Sequence, residues 1–125
     1  MTKRFLLALL TIFFLNLNTC AAEDLKFIDS NGDDGYFIDM DTVKIESATT
    51  FSVNLAIVRI NLNQMELIDL QIDHGKKIYT IRSVRTLSYD ERTEIKSDYT
   101  PRSAKGYSDK SLMGDIVQIV IYGGE

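Results

Sequence analysis

The clearest pattern in the chain lies between Thr49 and Leu62, where Phe51, Val53, Leu55 and Ile57 fall on alternate positions. Period two is the spacing of side chains on one face of a β-strand. From Val58 the apolar residues move to even positions, with Ile60 and Leu62. That change of phase predicts a bulge or a strand buried on both faces. Asn61-Leu62-Asn63-Gln64 then turns the chain. A second alternating run extends from Met65 to Asp73, with Ile68, Leu70 and Ile72 on one face. Asp73-His74-Gly75-Lys76 has the composition of a hairpin turn. A third long strand, Lys77 to Leu87, puts Tyr79 and Ile81 on one face and Ile78 and Val84 on the other.

Shorter elements flank these three. Leu25 to Ile28 and Tyr36 to Ile38 read as strands separated by Ser30-Asn31-Gly32-Asp33-Asp34-Gly35. Gly and Asn accept positive φ and Asp caps turns, so this stretch is a turn. Asp39-Met40-Asp41 makes a corner before a strand from Thr42 to Ile45. Glu94 to Tyr99 is charged enough for a protected edge strand, and the single proline, Pro101, follows in a polar stretch. Near the C-terminus Leu112, Met113, Ile116, Val117, Val120 and Ile121 recur at helical spacing. Ser108 or Ser111 could cap such a helix, and Gly123-Gly124 could end it. The β-branched content of the same stretch suits a strand equally well. Gly114 costs a helix about 1 kcal/mol relative to Ala. The residues leave both options open, with the six-position stripe on the side of the helix.

The chain begins with Lys3 and Arg4, an apolar run from Phe5 to Leu15, and then Thr19-Cys20-Ala21-Ala22. This is the layout of a secretory signal peptide over residues 1–22. A membrane-spanning helix needs about 20 apolar residues, and Asn16 and Asn18 interrupt the run too early. Cys20 and Ala22 satisfy the small-residue rule for a cut before Glu23, and Thr19 and Ala21 that for a cut before Ala22. The alternative is a lipid on Cys20; Leu17 suits a lipobox and Thr19 does not. The expected location is the periplasm or the outer cell surface, with residues 23–125 as a single domain.

Processing before Glu23 leaves 12 basic and 18 acidic residues and a net charge of -6. An acidic domain is not an obvious partner for nucleic acid or an anionic membrane, and the only expected membrane link is a lipid on Cys20. With Cys20 removed no disulfide is available, so packing must supply stability. Residues 23–75 hold 11 acids against Lys26, Lys44 and Arg59, and residues 76–125 hold nine bases against seven acids. Paired strands would bring the two signs together as surface ion pairs. A polar binding surface is the other reading.

Candidate chemistry is sparse. Asp29, Asn31 and Asp33 have the alternate spacing of a calcium loop, but Asp34 and Met40 stand where the loop needs Gly and Glu. A hairpin turn explains the stretch better. Asp39 and Asp41 would share a face in a strand, and capping the corner is the simpler role. His74 is the only histidine and reads as an exposed turn residue. No Gly-x-Ser-x-Gly elbow and no glycine-rich phosphate loop occur. Between Lys76 and Lys110, bases alternate with Tyr79, Tyr89, Tyr99 and Tyr107. Single-stranded nucleic-acid binders look like this, as do amphipathic strands whose arginines snorkel. Export and acidity favour the second, and Tyr and Arg also suit a protein-binding face. No catalytic, cofactor-binding or metal-binding residue is assigned, and no enzyme activity is expected.

Gly35-Tyr36-Phe37-Ile38-Asp39-Met40-Asp41-Thr42-Val43 is similar to the aromatic-aromatic-x-Asp-x-Asp-Ser-Ile signature of the surface-adhesin protein E-like domains. These are small exported bacterial proteins. Ile72-Asp73-His74-Gly75-Lys76-Lys77-Ile78-Tyr79-Thr80-Ile81 resembles the family's hairpin, Leu87-Ser88-Tyr89-Asp90 its next turn, and Leu112 to Tyr122 its closing helix. The family's usual cysteines near Asp73 and the C-terminus are missing, as is its early tryptophan. The resemblance implies an α+β domain: an antiparallel sheet of about six strands with one C-terminal helix packed on a face. It tips the C-terminal stretch toward helix. It also implies a non-enzymatic binding module engaging a protein partner. A periplasmic structural or accessory protein is the alternative.

Overall fold

The computed structural model describes residues 23–123. The expected signal peptide, its cut site and the lipidation of Cys20 lie outside the described residues. The elements are β1 (Leu25–Asn31), β2 (Asp34–Ile45), β3 (Thr50–Arg59), β4 (Gln64–Asp73), β5 (Ile78–Ser88), β6 (Glu94–Asp98), β7 (Lys105–Gly106) and α1 (Leu112–Tyr122). The sheet runs in the order β1-β2-β3-β4-β5-β6, each strand antiparallel to its neighbour, with β7 also paired to β5. This is the expected α+β meander closed by a C-terminal helix.

The change of apolar phase in β3 comes from double burial, not from a bulge. Pairing of β3 with β4 is unbroken from Thr50↔Asp73 to Arg59↔Gln64. On the helix-covered face Phe51, Val53 and Leu55 pack with Ile68, Leu70 and Ile72 and with Ile116 and Val117 of α1. On the other face Ala56 and Val58 pack with Met65, Leu67 and Leu87. Ile60 and Leu62 belong to neither core; they lie in a 3-10 turn, Ile60–Leu62, between β3 and β4.

A bulge does occur in β5. Asp69 pairs with Ser83 and Leu70 with Ile81, leaving Arg82 as the extra residue. Expected alternation is thereby corrected. Val84 joins Tyr79 and Ile81 against the helix-side core rather than facing away from them. The Arg82 guanidinium spans the sheet to Glu46 at 3.3 Å and Asp69 at 3.4 Å. The corner in β2 is also a register break, between Asp39↔Asn54 and Lys44↔Ser52. Asp39 Oδ1 accepts the Asp24 and Asp41 N–H groups, each at 3.1 Å. The Thr42 hydroxyl donates to Asp39 O at 2.7 Å and accepts the Asn54 N–H at 2.8 Å. Backbone groups released from the ladder are thus paired again, as buried ones must be.

β6 and β7 are two pieces of one interrupted edge. β6 covers Val84 to Leu87 of β5, and β7 covers Ile78 and Tyr79. Pro101, which has no N–H to give a ladder, falls in the gap. Arg102 N–H still reaches Ile81 O at 2.9 Å.

α1 settles the helix-or-strand ambiguity. Ser111 is the N-cap, accepting the Gly114 N–H at 3.4 Å, and Gly123 closes the helix at φ 77°. Helical spacing buries Ile116 and Val117 and brings Leu112, Met113, Val120 and Ile121 onto the core. Gly114 has a packing reason. A Cβ there would stand 2.2 Å from the Asp109 carbonyl oxygen, so only glycine lets the preceding segment cross the helix.

The sheet is coiled, not flat. In a flat sheet β2 and β5 would lie about 14 Å apart. Here Tyr89, just past β5, shares a groove with Gly35 and Phe37 of β2. Glu23 at the start of the domain is clasped by Arg92 beyond β5, through Nε at 3.0 Å and Nη2 at 2.9 Å. Arg82 and Arg92 thus pair bases of the second half with acids of the first, absorbing part of the charge asymmetry. The hydrogen bond from Arg92 holds the Glu23 carboxyl below its ordinary 4.5. A carboxyl lowered by folding stabilises the fold fully above its unfolded value and loses that contribution as pH falls through the folded one. Both side chains are about one-third exposed, so the coupling at pH 7 should be about 1 kcal/mol or less. A double-mutant cycle of Glu23→Gln and Arg92→Gln is expected to show that coupling at pH 7. It should fade below pH 4.5. A coupling independent of pH would refute the assignment.

Candidate functional site

His74 opens the turn between β4 and β5, as expected, but it is half-buried rather than exposed because its ring lies against Phe51. Its N–H donates to Thr49 O at 2.8 Å, and its ring centroid is 6.2 Å from that of Phe51. Asp73 Oδ1 accepts the Gly75 and Lys76 N–H groups at 3.0 and 3.1 Å, and the bond from Lys76 is the main influence lowering the Asp73 pKa. The imidazole is half-buried and lines a cleft of about 440 Å³ between this turn, Tyr107 and α1. Lys77 and Asp109 pair across the cleft mouth at 3.0 Å. Burial is the main reason the Tyr107 phenol is pushed up, followed by the negative charges of Asp109 and Asp73. The described residues show no side-chain hydrogen bond to the imidazole. His74→Ala is expected to change stability by about 1 kcal/mol or less, read by urea unfolding. A larger loss would mean that the ring contact with Phe51 helps hold the turn in place.

The calcium-like stretch forms a two-residue hairpin. Asn31 pairs with Asp34, and Gly32 takes φ 64°, as the first central residue of a type II′ turn does. Its carboxylates have separate partners. Asp29 accepts the Ser30 N–H at 2.7 Å, Asp33 accepts Asn61 Nδ2 at 2.9 Å, and Asp34 pairs with Arg59 at 3.3 Å. Among the described residues no group of three or more metal-ligating side chains converges. Asp39 caps its corner, and Asp41 contributes its backbone N–H there.

A different surface is built where three turns meet: Gly32–Asp33, the 3-10 turn, and the β5–β6 connection. Asn63 is the hub. It adopts φ 51°, which asparagine tolerates better than most residues. Its backbone oxygen accepts the Tyr89 N–H and its side-chain oxygen accepts the Asp90 N–H, both at 3.0 Å. Asn61 ties the same turn to Asp33. Arg92, at φ 60°, lays its guanidinium 5.0 Å from the Tyr89 ring centroid and donates to Tyr89 O and Glu23. The turns are therefore bonded to one another and to the sheet.

This framework displays apolar side chains outward. Ile60 and Leu62 are each 64% exposed. Beside them Phe37, Val58, Ile60 and Tyr89 line a groove of about 210 Å³. Its surroundings are acidic. Arg59 is paired with Asp34 and Glu66, and Arg92 with Glu23. Asp29, Asp33, Asp90 and Glu91 make no ion pair among the described residues. A hydrogen bond from the Asn63 side chain is the largest influence lowering the Asp90 pKa. The turn expected at Asn61-Leu62-Asn63-Gln64 is present but starts one residue earlier, so that Ile60, which the alternating pattern placed on the strand, belongs to it as Leu62 does. Such a surface offers contact area and charge.

No protein-family model, curated protein or solved structure matches the chain. Among the described residues no helix is long and apolar enough to cross a membrane.

Proposed function

We propose that this protein is an exported, non-enzymatic binding module of the surface-adhesin E-like kind, which engages a protein partner at the cell envelope or surface. One observation supports the reading above others. Ile60 and Leu62 are held outward on hydrogen-bonded turns, beside a groove lined by Phe37, Val58 and Tyr89. Burying large side chains in contact with a partner is the main favourable term in association, and rigid turns lower its entropic cost. The resemblance of residues 35–43 and 72–81 to the adhesin E-like signature points the same way. Export rests on the Lys3-Arg4 start, the apolar run and the small residues up to Ala22.

Intact mass of the exported protein and protease accessibility on whole cells test the proposal together. A chain starting at or near Glu23, or one acylated at Cys20, supports export, and an uncleaved chain in the cytosol refutes it. Digestion on intact cells favours the adhesive role. Protection until the outer envelope is opened favours the periplasmic accessory role instead.

A further inference from the structure

The proposed partner-binding role leaves the chemistry of the partner open, and the loop end of the sheet narrows it. We infer that this end receives an extended basic segment of a protein partner, with one apolar side chain of the segment seated in the groove beside Ile60. The inference rests on the binding-module reading and adds to it a place and a class of ligand.

Two observations meet at the same surface. The groove is lined by Phe37, Val58, Ile60 and Tyr89, and at about 210 Å³ it has room for one side chain. Ile60 and Leu62 extend the apolar area past its rim. The charges around it are of one sign in effect. Arg59 and Arg92 are occupied by Asp34, Glu66 and Glu23. Asp33 lines the groove itself, and Asp90 and Glu91 follow Tyr89 directly. Opposite charge on the partner raises the rate of encounter and suppresses wrong partners, and desolvation of the apolar anchor supplies affinity. An acidic segment or an anionic lipid surface would meet like charge here. Self-association is disfavoured by the same argument, because a symmetric pairing would bring two acidic rims together.

Fluorescence anisotropy tests this with the processed protein and two labelled peptides, Lys-Lys-Leu-Phe-Lys-Lys and Glu-Glu-Leu-Phe-Glu-Glu. The basic peptide is expected to bind saturably, the acidic one at least about tenfold more weakly. Binding should weaken as salt is raised, since exposed charges are screened over about 8 Å at physiological ionic strength. Ile60→Ser with Leu62→Ser should weaken it at least about tenfold, and so should Asp90→Lys with Glu91→Lys. All four residues are exposed or in turns, and circular dichroism confirms that the variants are folded. Equal affinity of the wild type and the Ile60/Leu62 variant overturns the inference, as does equal binding of both peptides or no binding of the basic one. A concentration-dependent dimer abolished by the Ile60/Leu62 variant also overturns it, in favour of a second copy. Photo-crosslinking in cells from position 62 and from position 96 separates this from the broader reading. An adduct from position 62 alone, together with selective binding of the basic peptide, supports the site. An adduct from position 96 alone overturns the site and leaves the binding module standing. No protein adduct from either overturns both.

Discussion

Ile116→Ala is expected to destabilise the domain by about 2–5 kcal/mol. Ile116 is fully buried, packed in the core that also holds Phe51, Leu70 and Ile72. No cysteine lies within residues 23–123, so apolar burial has to hold α1 to the sheet without a covalent tie. Truncating the side chain removes its transfer free energy and leaves a cavity bounded by sheet residues with little freedom to collapse. Domains of this size have a total stability of about 5–15 kcal/mol. The loss should therefore be visible as a lower urea midpoint with an unchanged slope. A negligible loss would mean that α1 does not dock through this residue.

Gly114→Ala should also destabilise, by about 1–3 kcal/mol, although alanine is the better helix former. On an isolated helix the substitution would gain about 1 kcal/mol. Here the new Cβ would stand 2.2 Å from the Asp109 carbonyl oxygen and 2.6 Å from its carbon. Backbone on both sides has to move. Movement of Asp109 would disturb its ion pair with Lys77 and the cleft lined by His74 and Tyr107. The sign is the diagnostic result. A thermal shift upward would show that the segment before α1 yields freely, and that Gly114 is not there for close packing.

The loop-end surface shows how a candidate site escapes a pattern-based reading. Ile60 and Leu62 continue the apolar run of β3 without a break in composition. They leave the core because β3 ends at Arg59 and the chain enters a 3-10 turn, which Asn63 closes in the αL conformation. Hydrogen bonds from Tyr89 and Asp90 to Asn63 span roughly a quarter of the described chain, and no local rule anticipates them.

Local chemistry was enough to determine much of this protein. Period-two alternation marks β3 and β4, Asn-Gly-Asp and Asp-His-Gly-Lys clusters mark two hairpins, and Asp39 sits where a corner needs a cap. Ser111 and Gly123 bracket a six-position stripe at helical spacing, although its β-branched residues left a strand open until the structure showed α1. These signals are legible because backbone preference and side-chain period act over a few residues. Tertiary structure alone decided the rest. Whether Val58 faces a second core depends on Met65 and Leu87 arriving opposite it. The bulge at Arg82, which turns Val84 inward, is a mismatch between two strands and not a property of either. Glu23 finds Arg92 only because the sheet coils, and Gly114 is required only because Asp109 crosses close above it. Each of these is a contact between distant segments, and a linear pattern records the period of a face but not what comes to lie against it.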